Sequence, residues 1–456
     1  MSKTPLILLI NPWITDFAAY DLWAKPLGLL MLGGLLREGG CQVSLIDCLD
    51  RHDPETSGRK DLLPATYKLF HTGKYPKKPL ATPEAIADIP RRYYRYGIHQ
   101  DSLAKRLNEL PKPDLIWVTC QMTYWYPGLQ QTIAAVRQVI SDVPIWLGGA
   151  YARLCPAHAK LHSGADLVVT TGLGDLPGLL LDTAGIELGN RAAWQSLAAC
   201  PSPAIDLLTN PEYGPLLTSL GCPYRCPYCA SSILQPEFMR RDPEAVYRDI
   251  SAWHSELGIE DFAFYDDALL IDSENLKPIF ERIAEDGPAV RLHTPNAIHI
   301  NPLSADWCRL LKASGFETLR LGLETTQPDK QKKWGDKVDT DSFLRAVELL
   351  QTAGFSRKQI GVYLMCGLPD QSVAEVSEAI ELVSRAGAQP YLCEYSPIPG
   401  TKVFERSLEL SQFDLENEPL THNNSFFACR RPDFSYDDLI ALKNKVRLAR
   451  RTADVI

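Results

Sequence analysis

Apolar residues along this 456-residue chain fall into two recurring patterns, short unbroken runs and longer stretches with apolar positions three and four apart. The first pattern belongs to strands buried on both faces of a parallel sheet, the second to helices that cover it. Leu6 to Ile10, closed by Asn11-Pro12, predicts a first strand, and Pro26 to Glu38 predicts a helix carrying Leu27, Leu30, Met31 and Leu35 that stops at Gly39-Gly40. The strand Gln42 to Ile46, the strand Leu115 to Thr119, the helix Gly128 to Ile140 and the strand Pro144 to Leu147 continue the alternation. Such alternation predicts an α/β chain whose first domain, residues 1–195, is doubly wound and Rossmann-like.

From about Cys200 the pattern restarts. Predicted strands at Leu216 to Leu220, Asp261 to Tyr265, Val290 to His293, Thr318 to Leu321, Gln359 to Met365 and Pro390 to Tyr395 are separated by predicted helices at Pro243 to Glu256, Ser273 to Glu285, Ser304 to Ser314, Thr340 to Ala353 and Val373 to Ala386. Six parallel strands predict a partial (β/α)6 barrel over residues 196–400, with chemistry at the carboxyl ends of its strands. Residues 401–456 form a mainly helical extension; its helix from Tyr436 to about Arg451 places Leu439, Leu442 and Val446 on one face for packing against the barrel.

One connection departs from the usual two to six residues: Asp50 to Asp114. Residues 51–113 hold 13 Lys and Arg against 7 Asp and Glu, a basic insertion in a chain of net charge −9. Its densest part, Arg91-Arg92-Tyr93-Tyr94-Arg95-Tyr96-Gly97, reads either as a grip for a phosphate, carboxylate or aromatic group or as a solvated face packed on a neighbouring domain. The overall acidity argues against nucleic acid as a partner. Hydrophobic residues at 45% and charged residues at 23% are those of a soluble globular protein, and the sequence predicts neither a targeting segment nor a membrane span. Nine of the twelve cysteines are scattered singly, which predicts no disulfide framework and a reducing, cytoplasmic setting.

The other three are not scattered. Cys222, Cys226 and Cys229 follow a strand-like run into a Pro-rich turn, at spacings of four and three. Three thiolates rather than four argue against a closed structural zinc site, and a 4Fe–4S cluster on three thiolates leaves one iron open to a small chelating molecule. Cys222-x-x-x-Cys226-x-Tyr228-Cys229 resembles the signature of radical S-adenosylmethionine (SAM) enzymes, whose open iron is chelated by the amino and carboxylate groups of SAM. That resemblance implies SAM-contacting residues at the ends of the later strands: Asp266 and Asp267 for the amino group, Glu324 for the ribose, Asn296 lining the pocket, and Leu368, Ser396, Pro397 and Ile398 on loops around the adenine, with Tyr228 beside the cluster.

The first domain resembles the cobalamin-binding domain that precedes the barrel in one large class of these enzymes, on the segments Pro26-Leu27-Gly28-Leu29, Leu147-Gly148-Gly149-Ala150 and Thr171-Gly172-Leu173-Gly174-Asp175. The resemblance implies cobalamin contacts from Pro12, Trp13, Leu27, Gly28, Thr119, Gln121, Gly148, Gly149, Ala150, Tyr151, Gly172, Gly174 and Asp175. Asp50-Arg51-His52 resembles the start of the Asp-x-His-x-x-Gly motif that ligates cobalt from below, but Glu55 stands where Gly is required and the segment follows the second strand, so His52 is expected to be an ordinary loop histidine. The implied function is reductive cleavage of SAM by a cobalamin-dependent methyltransferase acting on an unactivated carbon or phosphorus of a small molecule or natural product, fed by a donor such as flavodoxin or ferredoxin. The alternatives are cyclisation, rearrangement or coupling on the same architecture, with or without cobalamin, and an iron–sulfur sensor without turnover.

Overall fold

The computed structural model describes residues 4–271 and 273–451, which divide into two units. The first runs to Tyr213 and takes in the short segment Asn417–Thr421; the second comprises Gly214–Glu416 and the chain from His422 onward. The division falls later than residue 195 because the segment before Tyr213 is bound to the first unit. The Ala204 N–H donates to the Leu30 carbonyl at 2.9 Å, and Glu212 meets Arg51 at 2.6 Å.

In the first unit β1 (Leu6–Asn11), β2 (Gln42–Asp47), β3 (Leu115–Thr119), β4 (Ile145–Gly148) and β5 (Leu167–Val168) form one parallel sheet in the order 5-4-3-1-2. Every residue of β1 is buried, as expected of a central strand covered on both faces. The order reverses between β1 and β3, the topological switch point at which sheets of this kind take ligands. Helix α1 (Leu27–Glu38) follows β1, α2 (Gln100–Glu109) makes the crossover into β3, and α3 (Tyr126–Val139) follows β3. Because α2 is that crossover, the inserted material is shorter than the sequence implies and ends near Ile98.

The inserted residues build two small antiparallel sheets. In one, Tyr93–Tyr96 pairs on one side with Ile14–Asp16, directly after β1, and on the other with Lys77–Leu80. The Arg95 guanidinium lies 4.4 Å from the centre of the Trp13 ring, and the Tyr96 hydroxyl donates to the Phe17 carbonyl at 3.2 Å. Tyr93, Arg95 and Tyr96 are buried, so the interleaved Arg and Tyr serve as packing for this clip rather than as an exposed grip.

The second unit contains β6 (Gly214–Leu216), β7 (Asp261–Phe264), β8 (Arg291–His293), β9 (Phe316–Glu324), β10 (Ile360–Cys366) and β11 (Gln389–Glu394), parallel and adjacent in chain order, the partial barrel expected. Its first strand ends at Leu216, not Leu220. The Thr218 and Ser219 N–H groups leave the ladder to donate to the Asp266 carboxylate, and Ser219–Leu220 instead pairs antiparallel with Met239–Arg240. Helix α4 (Pro328–Lys333) lies beyond β9, α5 (Val373–Arg385) connects β10 to β11, and α6 (Tyr436–Arg451) packs on α5 and β11 through buried Leu439, Leu442 and Val446.

The amino ends of the strands carry stability rather than chemistry. At the start of β7 the Asp261 carboxylate receives the Arg291 guanidinium at 2.6 Å and His293 Nε2 at 2.9 Å. Burial alone would raise Asp261, but the hydrogen bonds from His293 and Arg291 prevail and hold its pKa down to about 2. A depressed carboxylate contributes stability above its unfolded value near 4, and that contribution is lost as pH falls toward 2. We expect acidification of the apo-protein from pH 4 to pH 2 to cost about 2 kcal/mol through this group. Asp261→Asn should remove that component of the pH dependence in urea unfolding; equal acid sensitivity in both proteins would show that the pair is not its source.

Candidate active site

The carboxyl ends of the barrel strands converge on one cavity of about 290 Å³. Cys222, Cys226 and Cys229 line it together with Tyr228, Asp267, Asn296 and Glu324, so residues from the cluster loop and from the ends of β7, β8 and β9 share one space. The cluster loop is held at its root by Asp266, which accepts from the backbone and side chains of both Thr218 and Ser219. Asp266 is 2% exposed, and those bonds occupy it. Its carboxylate holds the loop and does not line the cavity, whereas that of Asp267 does.

The thiols sit in distinct surroundings. Cys222 Sγ lies 3.8 Å from His299 Nε2, and burial raises the thiol to about 11. Burial, aided by the Lys337 charge, pushes His299 down to about 4, so the imidazole is neutral at pH 7. Cys229 Sγ is 3.2 Å from the Ser231 hydroxyl. Cys226 abuts Gly335, where an added Cβ would lie 2.8 Å from the sulfur; with φ of +128° there as well, only glycine fits.

Across from the thiols is Glu324, in the left-handed region at φ +65° and at a register shift in the β9–β10 ladder. Such strained, bulged positions concentrate at functional sites. Lys337 Nζ meets Glu324 Oε1 at 2.8 Å, both side chains nearly enclosed. Burial opposes the ammonium charge, but Glu324, Cys226 and Cys229 around it prevail and push Lys337 up to about 12. The Tyr228 hydroxyl is buried against the Cys226 thiol and close to Glu324, a polar group at the cavity wall. Asn296 Nδ2 donates to the Tyr265 carbonyl at 2.8 Å, tying the ends of β7 and β8.

The donor set fits an iron–sulfur cluster. Among the described residues no three His, Cys, Asp or Glu side chains converge on a point suited to a single metal ion, whereas three thiols around one cavity suit a larger body. Leu368, Ser396, Pro397 and Ile398 do not line this cavity. Leu368 is packed with Trp334 and Tyr395, the Ser396 hydroxyl donates to the His422 carbonyl, and the Ile398 carbonyl accepts from Thr401. Met365 and Cys393, from the same two strands, line it in their place, as do Tyr363, His299 and Lys337. Nothing in the sequence marked these five. Lys337 falls in a polar stretch after α4, and only the fold brings it back to Glu324.

In the first unit the expected cobalamin residues lie along the carboxyl edge of the sheet, in two classes. Pro12, Trp13, Leu27, Gly148 and Tyr151 are buried; the Trp13 indole donates to the Ile98 carbonyl at 2.8 Å and the Tyr151 hydroxyl lies 2.7 Å from His158 Nδ1, so the polar atoms of these two side chains are engaged within the unit. Gly28, Gln121, Gly149, Gly172 and Asp175 are exposed, with Thr119, Ala150 and Gly174 half-buried. The switch point itself holds a void of about 10 Å³ between Pro12, Trp13, Thr119, Gln121 and Trp125, room for one water. The residues present therefore fit a broad ligand laid on the exposed edge rather than one inserted between β1 and β3. Gly149, at φ +91°, is required by its own chain, since an added Cβ would lie 2.6 Å from the Thr119 hydroxyl. His52 is engaged by Glu212 at 2.9 Å.

Fold and site together give a Rossmann-type domain followed in the chain by a partial (β/α)6 barrel with three cysteines at the carboxyl ends of its strands. Residues 216–383 match the profile of the Radical SAM superfamily. The chain is 20% identical over 475 residues to cytidylyl-2-hydroxyethylphosphonate methyltransferase of Streptomyces wedmorensis, covering 90% of this chain and 83% of that protein. It is 23% identical over 329 residues to an uncharacterized methyltransferase of Pyrococcus horikoshii, covering 65% of this chain and 70% of that protein. Its fold is similar to that of the radical SAM methyltransferase TsrM from Kitasatospora setae, solved with cobalamin and a 4Fe–4S cluster bound, with a TM-score of 0.65 at 17% identity over 96% of this chain and 91% of that one. It is also similar to the cobalamin-dependent SAM radical enzyme OxsB, with a TM-score of 0.57 at 12% identity over 98% of this chain and 56% of that one.

Two tests follow from the cavity. Cys222→Ala, Cys226→Ala and Cys229→Ala should each abolish iron binding and SAM cleavage, while Cys308→Ala and Cys366→Ala, buried away from the cavity, should retain near-normal iron content on colorimetric assay. Lys337→Met should strand a nearly buried carboxylate at a cost of about 3–5 kcal/mol. Adding Glu324→Gln should restore most of that loss in denaturant unfolding; a double variant as unstable as the single would separate the two residues energetically.

Proposed function

We propose that this chain is a cobalamin-dependent radical SAM methyltransferase that places a methyl group on an unactivated carbon or phosphorus of a small molecule. The observation that carries the reading is the single cavity in which three cysteines of the signature meet Tyr228, Asp267, Asn296 and Glu324. The methyltransferase names of both sequence relatives support it, as does the fold shared over nearly the whole chain with TsrM and OxsB, both solved with cobalamin bound. TsrM has also been solved with tryptophan as substrate and a SAM analogue bound, which supports a small-molecule substrate here.

When bound, the cluster supplies one electron to the SAM sulfonium and cobalamin supplies a methyl-carrying cobalt. The rest falls to the protein. Cys222, Cys226 and Cys229 hold the cluster, and the Lys337 ammonium offsets the negative charge of their thiolates. Asp267 faces the cavity as a partner for the SAM ammonium, and Glu324, with Oε1 taken by Lys337, offers Oε2 to the ribose hydroxyls. In the first unit the exposed backbone at Gly28, Gly149 and Gly172, with Gln121, is the edge on which cobalamin would rest. A one-electron donor is required from outside, and a cytoplasmic setting suits cysteines present as thiols rather than disulfides. Among the described residues no helix is long and apolar enough to cross a membrane.

The experiment is reconstitution under anaerobic conditions with iron, sulfide and cobalamin, followed by SAM carrying an isotopic label in its methyl group. We expect separate iron–sulfur and corrinoid absorbances and, with substrate, label in the product. Cleavage of SAM by protein that takes up no corrinoid and labels no product would overturn the methyltransferase reading in favour of cyclisation, rearrangement or coupling.

A further inference from the structure

Beside the cysteine loop, at Arg225 and Pro227, lies an open groove of about 800 Å³. Five cations line it, Arg225, Lys332, Lys333, Lys402 and Arg406, against the two carboxylates Asp336 and Asp370. This is a basic surface on a chain of net charge −9. All five are exposed. Lys333 and Arg406 approach Asp370 at 3.1 and 3.9 Å, whereas Arg225, Lys332 and Lys402 have no ion pair among the described residues. Positive charge held out to solvent in this way attracts an anionic partner and speeds its arrival.

The floor of the groove is also the back wall of the active-site cavity. Trp334 and Gly335 line the groove, Cys226 and Tyr228 line the cavity, and the two pairs are in contact. A Cβ at Gly335 would sit 2.8 Å from Cys226 Sγ, and the Trp334 ring stands edge-on to Tyr228 at 6.2 Å between centres. Gly335 therefore stands between the groove and Cys226.

We propose that this groove docks an acidic one-electron carrier protein of the flavodoxin or ferredoxin type, and that electrons enter the cluster through the wall at Gly335 and Cys226. The reduced carrier loses one electron and the cluster gains it, with no bond made or broken. The proposal rests on the cluster reading above. A closed, deep pocket with a buried cation would instead suit a small anion; this groove is broad, its free cations stand on its rim, and its position over Cys226 is what an electron donor needs.

The test compares two donors in anaerobic stopped-flow, following bleaching of the cluster absorbance. Lys332→Glu combined with Lys402→Glu should slow reduction by reduced flavodoxin about tenfold to a hundredfold at low ionic strength, and the deficit should shrink as salt is added. Reduction by dithionite through methyl viologen, a small cation, should not slow. Equal flavodoxin rates in wild type and variant overturn the proposal, as does a parallel loss with both donors, which would mean that the lysines serve the site itself. Weakened inorganic phosphate binding in the variant with an intact flavodoxin rate makes the groove a small-anion site and likewise overturns it. A wild-type protein that never assembles a cluster refutes the underlying site reading instead.

Discussion

Three cysteines and a carboxylate share one cavity, and one cation among the residues lining it offsets the charge they carry when the thiols ionise. Lys337 is that cation. Its ammonium, 2.8 Å from Glu324 and close to Cys226 and Cys229, keeps its proton although burial works against it. Neighbouring irregularities trace to this requirement. Glu324 takes a left-handed backbone at the end of β9, where the ladder shifts register, and Gly335 gives up a side chain so that the segment carrying Lys337 can press against Cys226. The neutral His299 beside Cys222 adds polar contact without adding charge.

Much of this was legible in the sequence, for reasons that differ from residue to residue. Unbroken apolar runs marked the parallel strands because these are buried on both faces, and β3 emerges with the bounds expected of it. The spacing singles out Cys222, Cys226 and Cys229, and Asp267, Asn296 and Glu324 are marked by their position after successive strands; the fold brings all six to one cavity. Asp266 and Asp267 look alike in sequence; bonding to Thr218 and Ser219 sets Asp266 apart, and Asp267 is the one that lines the cavity. Helix α2 was hidden in the basic insertion, since Leu103 and Leu107 give it too thin an apolar stripe among charged residues. Helix α4 has no apolar stripe at all, being Pro-Asp-Lys-Gln-Lys-Lys, so neither it nor the Lys337 that follows could be placed.

The first unit divides its carboxyl edge between two tasks. Over β1 and β2 the edge is closed by the chain itself: Ile14–Asp16 pairs with Tyr93–Tyr96, Arg95 stacks on Trp13, and the Ile98 N–H donates to the Cys48 carbonyl at 2.8 Å. Over β3 to β5, Gln121, Gly149 and Gly172 stay exposed. The insertion thus narrows the open edge, Trp13 and Trp125 line the switch point, and the glycine-bearing loops stay exposed.

The short segment Asn417–Thr421 belongs to the first unit while the residues on either side of it belong to the second. Within the first unit its Glu418 accepts the Tyr126 hydroxyl at 3.0 Å. The polypeptide therefore passes from one unit to the other three times, and no single cut returns two complete pieces. For inheritance this has a cost: a recombination event that swapped one half for a homologue's would leave Tyr126 facing a segment from the wrong parent. Such a chain is expected to descend as one gene, its two units changing together rather than being traded as modules.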